Sequence, residues 1–143
     1  MMIRDLATCP AVTCPATASV AEVAEMMAEA NVGFLVVADA KDQPVGVLTD
    51  RDIVLRAVAR GRREATAADV MSRHPACVRD QATVTEAAQL MADRQCRRLV
   101  LTDDDGRVIG VLSLDDLLRV AGDELGEIAR AVRGSKHSHI ILP

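Results

Sequence analysis

The chain has 143 residues and a net charge of −4, and half of its residues are hydrophobic although Phe34 is the single aromatic. This length fits one domain, or two small ones that share a core. The acidic balance and the lack of aromatic side chains argue against nucleic-acid binding, which needs a basic face or platforms for stacked bases. We therefore expect a core of Val, Leu, Ala and Met and no nucleic-acid partner.

The apolar segments and the cysteines indicate the cellular setting. Residues 1–6 lack the apolar core of a signal peptide, and the longest apolar run, residues 32–38, is far shorter than the roughly 20 residues of a membrane helix. We therefore expect a cytoplasmic protein without a membrane partner. Four cysteines without a C-x-x-C motif argue against a disulfide framework or a standard zinc site. They are Cys9, Cys14, Cys77 and Cys96.

The chain contains two copies of one sequence unit. Residues 12–57 align with residues 76–121 without a gap, at an offset of 64 residues, and 14 of the 46 aligned pairs are identical. Such a match is well above chance, so an internal repeat organises the fold. In the order of the chain, we assign repeat 1 to residues 3–61, repeat 2 to residues 67–122, and a C-terminal helix and tail to residues 123–143.

Each unit begins with a short extended piece and a capped helix. The extended pieces are residues 12–14 and 76–78. Ser19-x-x-Glu22 and Thr83-x-x-Glu86 are capping boxes, in which a hydroxyl and a carboxylate satisfy free N–H groups at a helix start. Apolar residues follow at helical spacing, so each helix has one apolar face that needs a partner.

A hairpin and a second helix complete each unit. Two apolar runs joined by a polar turn are typical of a hairpin. We place its strands at residues 34–38 and 45–48 in repeat 1, and at 99–101 and 108–112 in repeat 2. The second helices are predicted over 50–59 and 114–120. A β-α-β-β-α unit of about 50 residues buries too little surface to be stable alone, so the two should pack together.

Three further segments lie outside these units. Residues 67–71 are predicted to form a short lead-in helix to repeat 2, and residues 3–7 to play the same part for repeat 1. After Gly122, residues 123–133 predict a separate helix that ends at Gly134 as its C′ residue. The remaining tail, residues 135–143, is unassigned.

A glycine, a hydroxyl and an aspartate recur where the third strand meets the second helix. Gly46-Val47-Leu48-Thr49-x-x-Asp52 corresponds to Gly110-Val111-Leu112-Ser113-x-x-Asp116. A hydroxyl followed three residues later by a carboxylate is also a capping arrangement that suits the helix dipole. A helix N-terminus equally suits an anionic ligand, and a carboxylate is the natural partner of a sugar diol. The two roles are compatible, and the sequence leaves both open.

This repeated unit, with its G-h-h-[ST]-x-x-D signature, resembles the CBS domain pair (Bateman module) over residues 3–121. Arg97-Arg98-Leu99 and Asp103…Gly106 also fit the family's pattern. The resemblance implies an α/β (α+β) fold in which two CBS repeats pack with pseudo-twofold symmetry, with small mixed sheets flanked by helices. It also implies a cleft on each side of the joint, where family members often bind adenosine nucleotides or related adenosyl ligands.

The resemblance assigns roles to ten residues. Asp52 and Asp116 would accept hydrogen bonds from ribose hydroxyls. Thr49 and Ser113 would place hydroxyls near the ribose or phosphate. The backbone and side chains near Thr13, Val32, Cys77 and Cys96 would line the adenine slot, and Arg97 or Arg98 could meet phosphate. The expected ligand is AMP, ADP, ATP or S-adenosylmethionine, acting as a regulatory ligand and not as a required cofactor. Because Gly33-Phe34 aligns with Arg97-Arg98, we expect the two clefts to differ in charge.

Three functions remain open at this point. The first is a stand-alone sensor that signals through a homodimer or an effector protein. The second is an interaction module with vestigial sites, and the third is a redox sensor that uses Cys96, whose pKa the following arginines could lower. We expect no enzyme, because neither a nucleophile–base order nor a phosphate loop is present. We also expect no metal site, although His137-x-His139 could join Cys9 as ligands.

Overall fold

A computed structural model describes residues 2–135, and it contains two β-α-β-β-α units with flanking segments. The elements of the first half are β1 (Thr13–Cys14), α1 (Val20–Ala30), β2 (Phe34–Ala38), β3 (Pro44–Thr49) and α2 (Asp50–Arg56). The connecting elements are α3 (Ala67–Val70) and β4 (Ser72–Arg73). The second half has β5 (Cys77–Arg79), α4 (Val84–Arg94), β6 (Arg98–Thr102), β7 (Val108–Ser113) and α5 (Leu114–Ser135). The predicted order of elements is confirmed up to β7, and a single helix follows where two were predicted.

The strands form two small mixed sheets. In the first, β1 is parallel to β2, β2 is antiparallel to β3, and β3 is antiparallel to β4. In the second, β5 is parallel to β6 and β6 is antiparallel to β7. The predicted α/β fold of small mixed sheets flanked by helices is thus confirmed. The hairpin turns of the two repeats also meet, since Val108 N donates to Asp42 O at 2.9 Å.

The lead-in segment of each repeat packs on the other repeat. β4 follows the lead-in helix α3 and pairs with β3, with Gly46 opposite Arg73. In the equivalent place, Thr8 exchanges backbone hydrogen bonds of 2.9 and 3.0 Å with Val111 on β7. The exchanged lead-ins, residues 3–8 and 67–73, therefore cover the free edges of β7 and β3 and join the two repeats.

Two aliphatic cores follow from this exchange. The core of the first repeat includes Leu35 and Leu48 together with Ala67 and Val70 from α3. The core of the second repeat includes Leu99, Leu101 and Leu112 together with Ile3 from the N-terminal lead-in. All of these side chains are buried. The expected core of Val, Leu, Ala and Met is present, and each half depends on the other to complete it.

The helix starts are capped as the sequence predicts. Glu22 N donates to Ser19 Oγ and Ser19 N donates to Glu22 Oε2, both at 3.1 Å. Glu86 N donates to Thr83 Oγ1 at 3.1 Å, and Thr83 N donates to Glu86 Oε2 at 2.7 Å. Both predicted capping boxes are therefore confirmed.

The last helix differs from the expectation of a break at Gly122. α5 is continuous from Leu114 to Ser135, so the predicted separate helix over 123–133 is wrong. An isolated glycine costs a helix interior about 1 kcal/mol, too little to end a helix unless another break signal adds to it. The equivalent helix in repeat 1 does end, because α2 stops at Arg56 and a 3₁₀ turn leads to Gly61 with φ +65°.

Two further expectations from the sequence concern membrane helices and the histidines of the C-terminal tail. Within residues 2–135, no helix is both long and apolar enough to cross a membrane. The histidines of the tail, His137 and His139, lie outside the described residues.

Gly110 allows the close approach of the N-terminal lead-in, so it generates a testable prediction. A Cβ atom at Gly110 would lie 2.8 Å from Thr8 O, a backbone atom that cannot move without breaking the bridge. We expect Gly110→Ala to lower the free energy of unfolding by about 1–3 kcal/mol, measured by urea denaturation. Gly126→Ala is the control, because a Cβ there meets no atom within 4 Å, and it should raise stability by about 0.5–1 kcal/mol. Equal changes in the free energy of unfolding for the two variants would contradict the close packing of the N-terminal lead-in on β7.

Candidate functional site

Two clefts lie between the repeats, and their linings correspond at the 64-residue offset. The first cleft, of about 220 Å³, lies between residues 8–12, residues 32–34 and the β7–α5 junction. The second cleft, of about 280 Å³, lies between residues 72–76, residues 94–98 and β3. Each cleft therefore contains an exchanged lead-in segment and groups from both repeats. Both volumes are below the roughly 300–1,000 Å³ that is typical of ligand pockets.

The polar end of the first cleft is the β7–α5 junction. Asp116 N donates to Ser113 Oγ at 3.1 Å, and Ser113 N donates to Asp116 Oδ2 at 2.8 Å. The Arg119 guanidinium pairs with Asp116 Oδ1. Asp116 is only 8% exposed, yet it lines the cleft together with Ser113. The capping role is thus present, and the carboxylate keeps lone pairs with which it can accept further hydrogen bonds.

The remaining wall of the first cleft is largely apolar. Val12, Val32 and Val111 line it, together with the ring of Phe34. A cleft with apolar walls and a few polar groups at one end suits a planar ring attached to a polar group. Among residues 2–135, Arg98 is the one cationic residue of this lining, and Asp116 is the one anionic residue.

The second cleft is strongly cationic. Its lining includes His74 and four arginines, which are Arg73, Arg94, Arg97 and Arg98. Arg94 Nη2 donates to His74 O at 2.8 Å, which fixes this guanidinium beside the lead-in segment. Arg97 is 3.9 Å from Asp115, and both side chains of this pair are exposed. The expected difference in charge between the clefts is therefore present in their linings.

The junction of repeat 1 does not line the second cleft, unlike its counterpart in repeat 2. Thr49 and Asp52 form the same cap, with hydrogen bonds of 3.0 and 3.1 Å. Asp52 also lies 3.7 Å from the Arg56 guanidinium on the next turn of α2. Val47 from this region lines the second cleft, but Thr49 and Asp52 do not. The local structure is therefore repeated, whereas the polar end of the cleft is not.

Phe34 and Arg98 form a wall that the two clefts share. They occupy equivalent positions at the start of β2 and β6, and both residues line both clefts. The Arg98 guanidinium carbon lies 5.3 Å from the centroid of the Phe34 ring, within the range of a cation–π interaction. The contact therefore joins the two repeats at the centre of the joint.

The ten predicted site residues fall into two groups. Six of them line a cleft, namely Val32, Ser113 and Asp116 in the first, Cys96 and Arg97 in the second, and Arg98 in both. The other four, Thr13, Thr49, Asp52 and Cys77, line neither. Val12 and Ala76, each one residue earlier, take the positions expected of Thr13 and Cys77. Successive residues of an extended strand point to opposite sides, so a shift of one residue moves a side chain off the cleft.

The sequence analysis missed the residues that the lead-ins contribute. Thr8 and Ala11 line the first cleft, and Ser72, Arg73 and Pro75 line the second. The repeat extends to these segments at the same 64-residue offset, since Thr8 corresponds to Ser72 and Ala11 to Pro75. Recognising them would have required knowledge that each lead-in crosses to the other repeat.

The cysteines differ in their surroundings. Burial raises the pKa of the Cys14 thiol to about 11. Burial also raises the pKa of Cys77, and the nearby Arg94 opposes this shift in part. The Cys77 Sγ donates to Pro75 O at 3.4 Å. Cys96 is half-buried in the lining of the second cleft. Within the described part of the chain, no three His, Cys, Asp or Glu side chains are grouped to hold a metal ion.

The chain belongs to the CBS domain family. The family model of the CBS domain matches residues 3–58 and residues 67–123, one match for each repeat. The resemblance to the CBS domain pair that the sequence indicated is therefore confirmed.

Three similar proteins extend this comparison. Uncharacterized protein MK0525 of Methanopyrus kandleri is 35% identical over 120 residues, which are 82% of this chain and 61% of that protein. A CBS domain protein, PAE2072 from Pyrobaculum aerophilum, complexed with AMP, is 33% identical with a TM-score of 0.72, covering 81% of this chain and 89% of that one. The CBS domain pair of protein MJ0100, in complex with 5′-methylthioadenosine and S-adenosyl-L-methionine, is 24% identical with a TM-score of 0.77, covering 87% and 98%. This last likeness concerns the fold.

The burial of Cys14 predicts a slow reaction with alkylating reagents. A thiol whose pKa is about 11 is almost entirely protonated at pH 8, and the thiolate is the reactive form. We expect iodoacetamide to modify Cys14 at pH 8 at least about tenfold more slowly in the folded protein than in urea, followed by peptide mass spectrometry. The exposed Cys9 is the internal control. Equal rates for Cys14 in the two states would contradict the burial.

Proposed function

We propose that this protein is a regulatory module that binds an adenosyl ligand, AMP foremost, in the first cleft. The observation that carries the proposal is the Asp116 carboxylate, which is 8% exposed and lies at the polar end of a cleft whose remaining wall is largely apolar. The complex of PAE2072 with AMP, from a relative 33% identical to this chain, supports this choice of ligand. The role is regulatory and not catalytic.

The lining of the first cleft suggests how the ligand is held. The adenine ring packs between the apolar side chains of Val12, Val32 and Val111, where its removal from water is favourable. The ribose hydroxyls donate to Asp116, whose carboxylate is already oriented by Ser113 N. The phosphate meets the Arg98 guanidinium, which is the cationic group of this cleft. Each part of the ligand thereby meets a surface of matching polarity.

Binding in this cleft would bias the arrangement of the repeats. Val32 belongs to repeat 1 and Asp116 to repeat 2, so one ligand contacts both halves of the joint. A ligand shifts an equilibrium only by binding its two arrangements with different affinity. A ligand that bridges the joint has that property, because it gains all of its contacts only when the repeats stand at one angle. The output is then a change in association with an effector protein.

We also propose that the protein forms a homodimer. Several large apolar side chains are exposed on α2, the 3₁₀ turn that follows it, and α5. They include Val54, Leu55, Val58, Leu118 and Leu125. Exposed apolar patches of this kind mark interaction sites in many proteins. The same observation supports the second candidate function, an interaction module in which the clefts are vestigial and the helix faces alone bind a partner.

The first cleft generates a binding prediction with a matched control. Asp116→Ala should weaken AMP binding about 10–100-fold, since it removes charge-assisted hydrogen bonds, as measured by isothermal titration calorimetry. Asp52→Ala removes an equivalent helix cap from a residue that lines neither cleft, so it should bind AMP as the wild type does. Folded, nucleotide-free wild type that binds none of AMP, ADP, ATP and S-adenosylmethionine would favour the interaction module instead.

The apolar helix faces generate a prediction about association. The wild type should sediment at about twice the chain mass of 15.3 kDa, and the double variant Val58→Lys, Leu118→Lys should sediment as a monomer, because charges cannot be buried in an apolar interface without a large cost. Ala40→Lys, in the exposed hairpin turn, is the control and should remain dimeric. A monomeric wild type at micromolar concentration would refute the homodimer.

A further inference from the structure

The C-terminal part of α5 projects beyond the two CBS repeats. Leu114 and Leu117, at the start of the helix, pack in the core of the second repeat. Residues 121–134 are all exposed, and the match to the CBS family model ends at residue 123. This projecting segment, residues 121–134, is about 21 Å long at 1.5 Å per residue. It is therefore an addition to the CBS fold, and its side chains are accessible to another chain.

The composition of the projecting segment is unfavourable for a helix that stands alone. It contains Gly122, Gly126 and Gly134, and glycine is the poorest helix former after proline. A Cβ atom at any of the three would meet no atom within 4 Å, so no close contact within the chain requires them. Isolated helices of fewer than about 15 residues are marginal in water. The segment therefore depends on packing against another surface for its stability as a helix.

One face of the projecting segment is apolar along its length. Ala121, Leu125, Ile128 and Val132 follow one another at intervals of four, three and four residues. This is the spacing of the seam along which two helices pack in a coiled coil. The three larger side chains are between 56% and 65% exposed. These four residues, which we call the α5 seam, therefore fit the matching face of a second helix.

The charges of the projecting segment favour a reversed copy of itself as the second helix. Its first half contains three carboxylates and no basic residue, and its second half contains two guanidinium groups and no acidic residue. These residues are Asp123, Glu124 and Glu127 in the first half, and Arg130 and Arg133 in the second. The exposed pair of Glu127 with Arg130 within one helix contributes little. An antiparallel pair of copies places each acidic half beside a basic half, whereas a parallel pair places like charges together.

We propose that two copies of this chain pair through their α5 seams in an antiparallel direction. The inference rests on the proposed homodimer and identifies a surface that joins its two chains. Ala121 then packs against the partner's Val132, and Leu125 packs against the partner's Ile128. A parallel pair would instead set Ala121 against the partner's Ala121, where two small side chains leave a gap and lose packing contacts. Side-chain size and charge thus favour the same direction.

Disulfide cross-linking between two single variants tests the direction of the pair. In the antiparallel pair, position 121 lies beside position 132 of the partner, and the two copies of position 121 are about 16 Å apart along the helices, too far for a disulfide. We expect an equimolar mixture of Ala121→Cys and Val132→Cys, oxidised with copper phenanthroline, to form a 121–132 disulfide. Peptide mass spectrometry identifies this link and distinguishes it from links of the four native cysteines. Neither variant oxidised alone should link to itself at the new cysteine.

A mixture of Asp123→Cys and Arg130→Cys is the matched control. These two positions also lie at one level of the antiparallel pair, but they are on the face of α5 opposite the seam, so they should not link. The inference is overturned if Ala121→Cys links to itself, which indicates parallel helices. It is equally overturned if the seam mixture links no more than the control mixture.

Sedimentation equilibrium separates this inference from the homodimer itself. Leu125→Lys, Ile128→Lys places two charges in the seam and should raise the Kd of the dimer at least about tenfold. Gly126→Lys, Gly134→Lys adds the same charge on the opposite face and should associate as the wild type does. If both variants, shown to be folded by their thermal midpoints, keep the wild-type Kd, the seam is overturned and the homodimer stands. A monomeric wild type overturns both.

Discussion

The structure depends on the exchange of lead-in segments between its two halves. β4 completes the sheet of the first repeat, and Thr8 bridges to β7 of the second. Gly46 and Gly110 permit these approaches, because a Cβ at either position would collide with the incoming backbone or with the side chain next to it. The exchange covers strand edges that would otherwise remain open to other chains. It also brings residues 8–12 and 72–76 to the joint, and without them neither cleft would have its outer wall.

The two clefts have the same backbone framework because the sequence is an internal repeat. A few residue differences between the repeats give the two linings different chemistry. Three arginines line only the second cleft. Arg73 corresponds to Cys9 in the first repeat, Arg94 to Ala30 and Arg97 to Gly33, and these replacements account for the difference in charge. The caps at Ser113 and Thr49 have nearly the same hydrogen bonds, yet one borders a cleft and the other does not. Equivalent local structure therefore does not guarantee an equivalent role.

Local patterns in the sequence predicted the elements, and long-range packing limited what they could say about the site. The capping boxes at Ser19 and Thr83 depend on residues three positions apart, so the sequence contains all of their information. β4 pairs with the edge of the first sheet, at β3, and not with the sheet of the second repeat. No local sequence pattern distinguishes these two sheet edges. α5 continues through Gly122 because the free-energy cost of one glycine in a helix interior is too small to end the helix. The sequence placed the neighbourhood of Thr13 at a cleft, and the residue that lines it is Val12, because successive residues of a strand point to opposite sides.

The contact between Arg98 and Phe34 has a consequence for the two clefts taken together. The guanidinium has one position, and it lies against a ring that belongs to the opposite repeat. If each cleft held a ligand, one that draws Arg98 toward its own cleft would remove a wall from the other, and the two sites would be coupled. Thermodynamic reciprocity requires each ligand to alter the affinity for the other by the same factor. Through the Arg98–Phe34 contact, each cleft would in this way respond to what occupies the other.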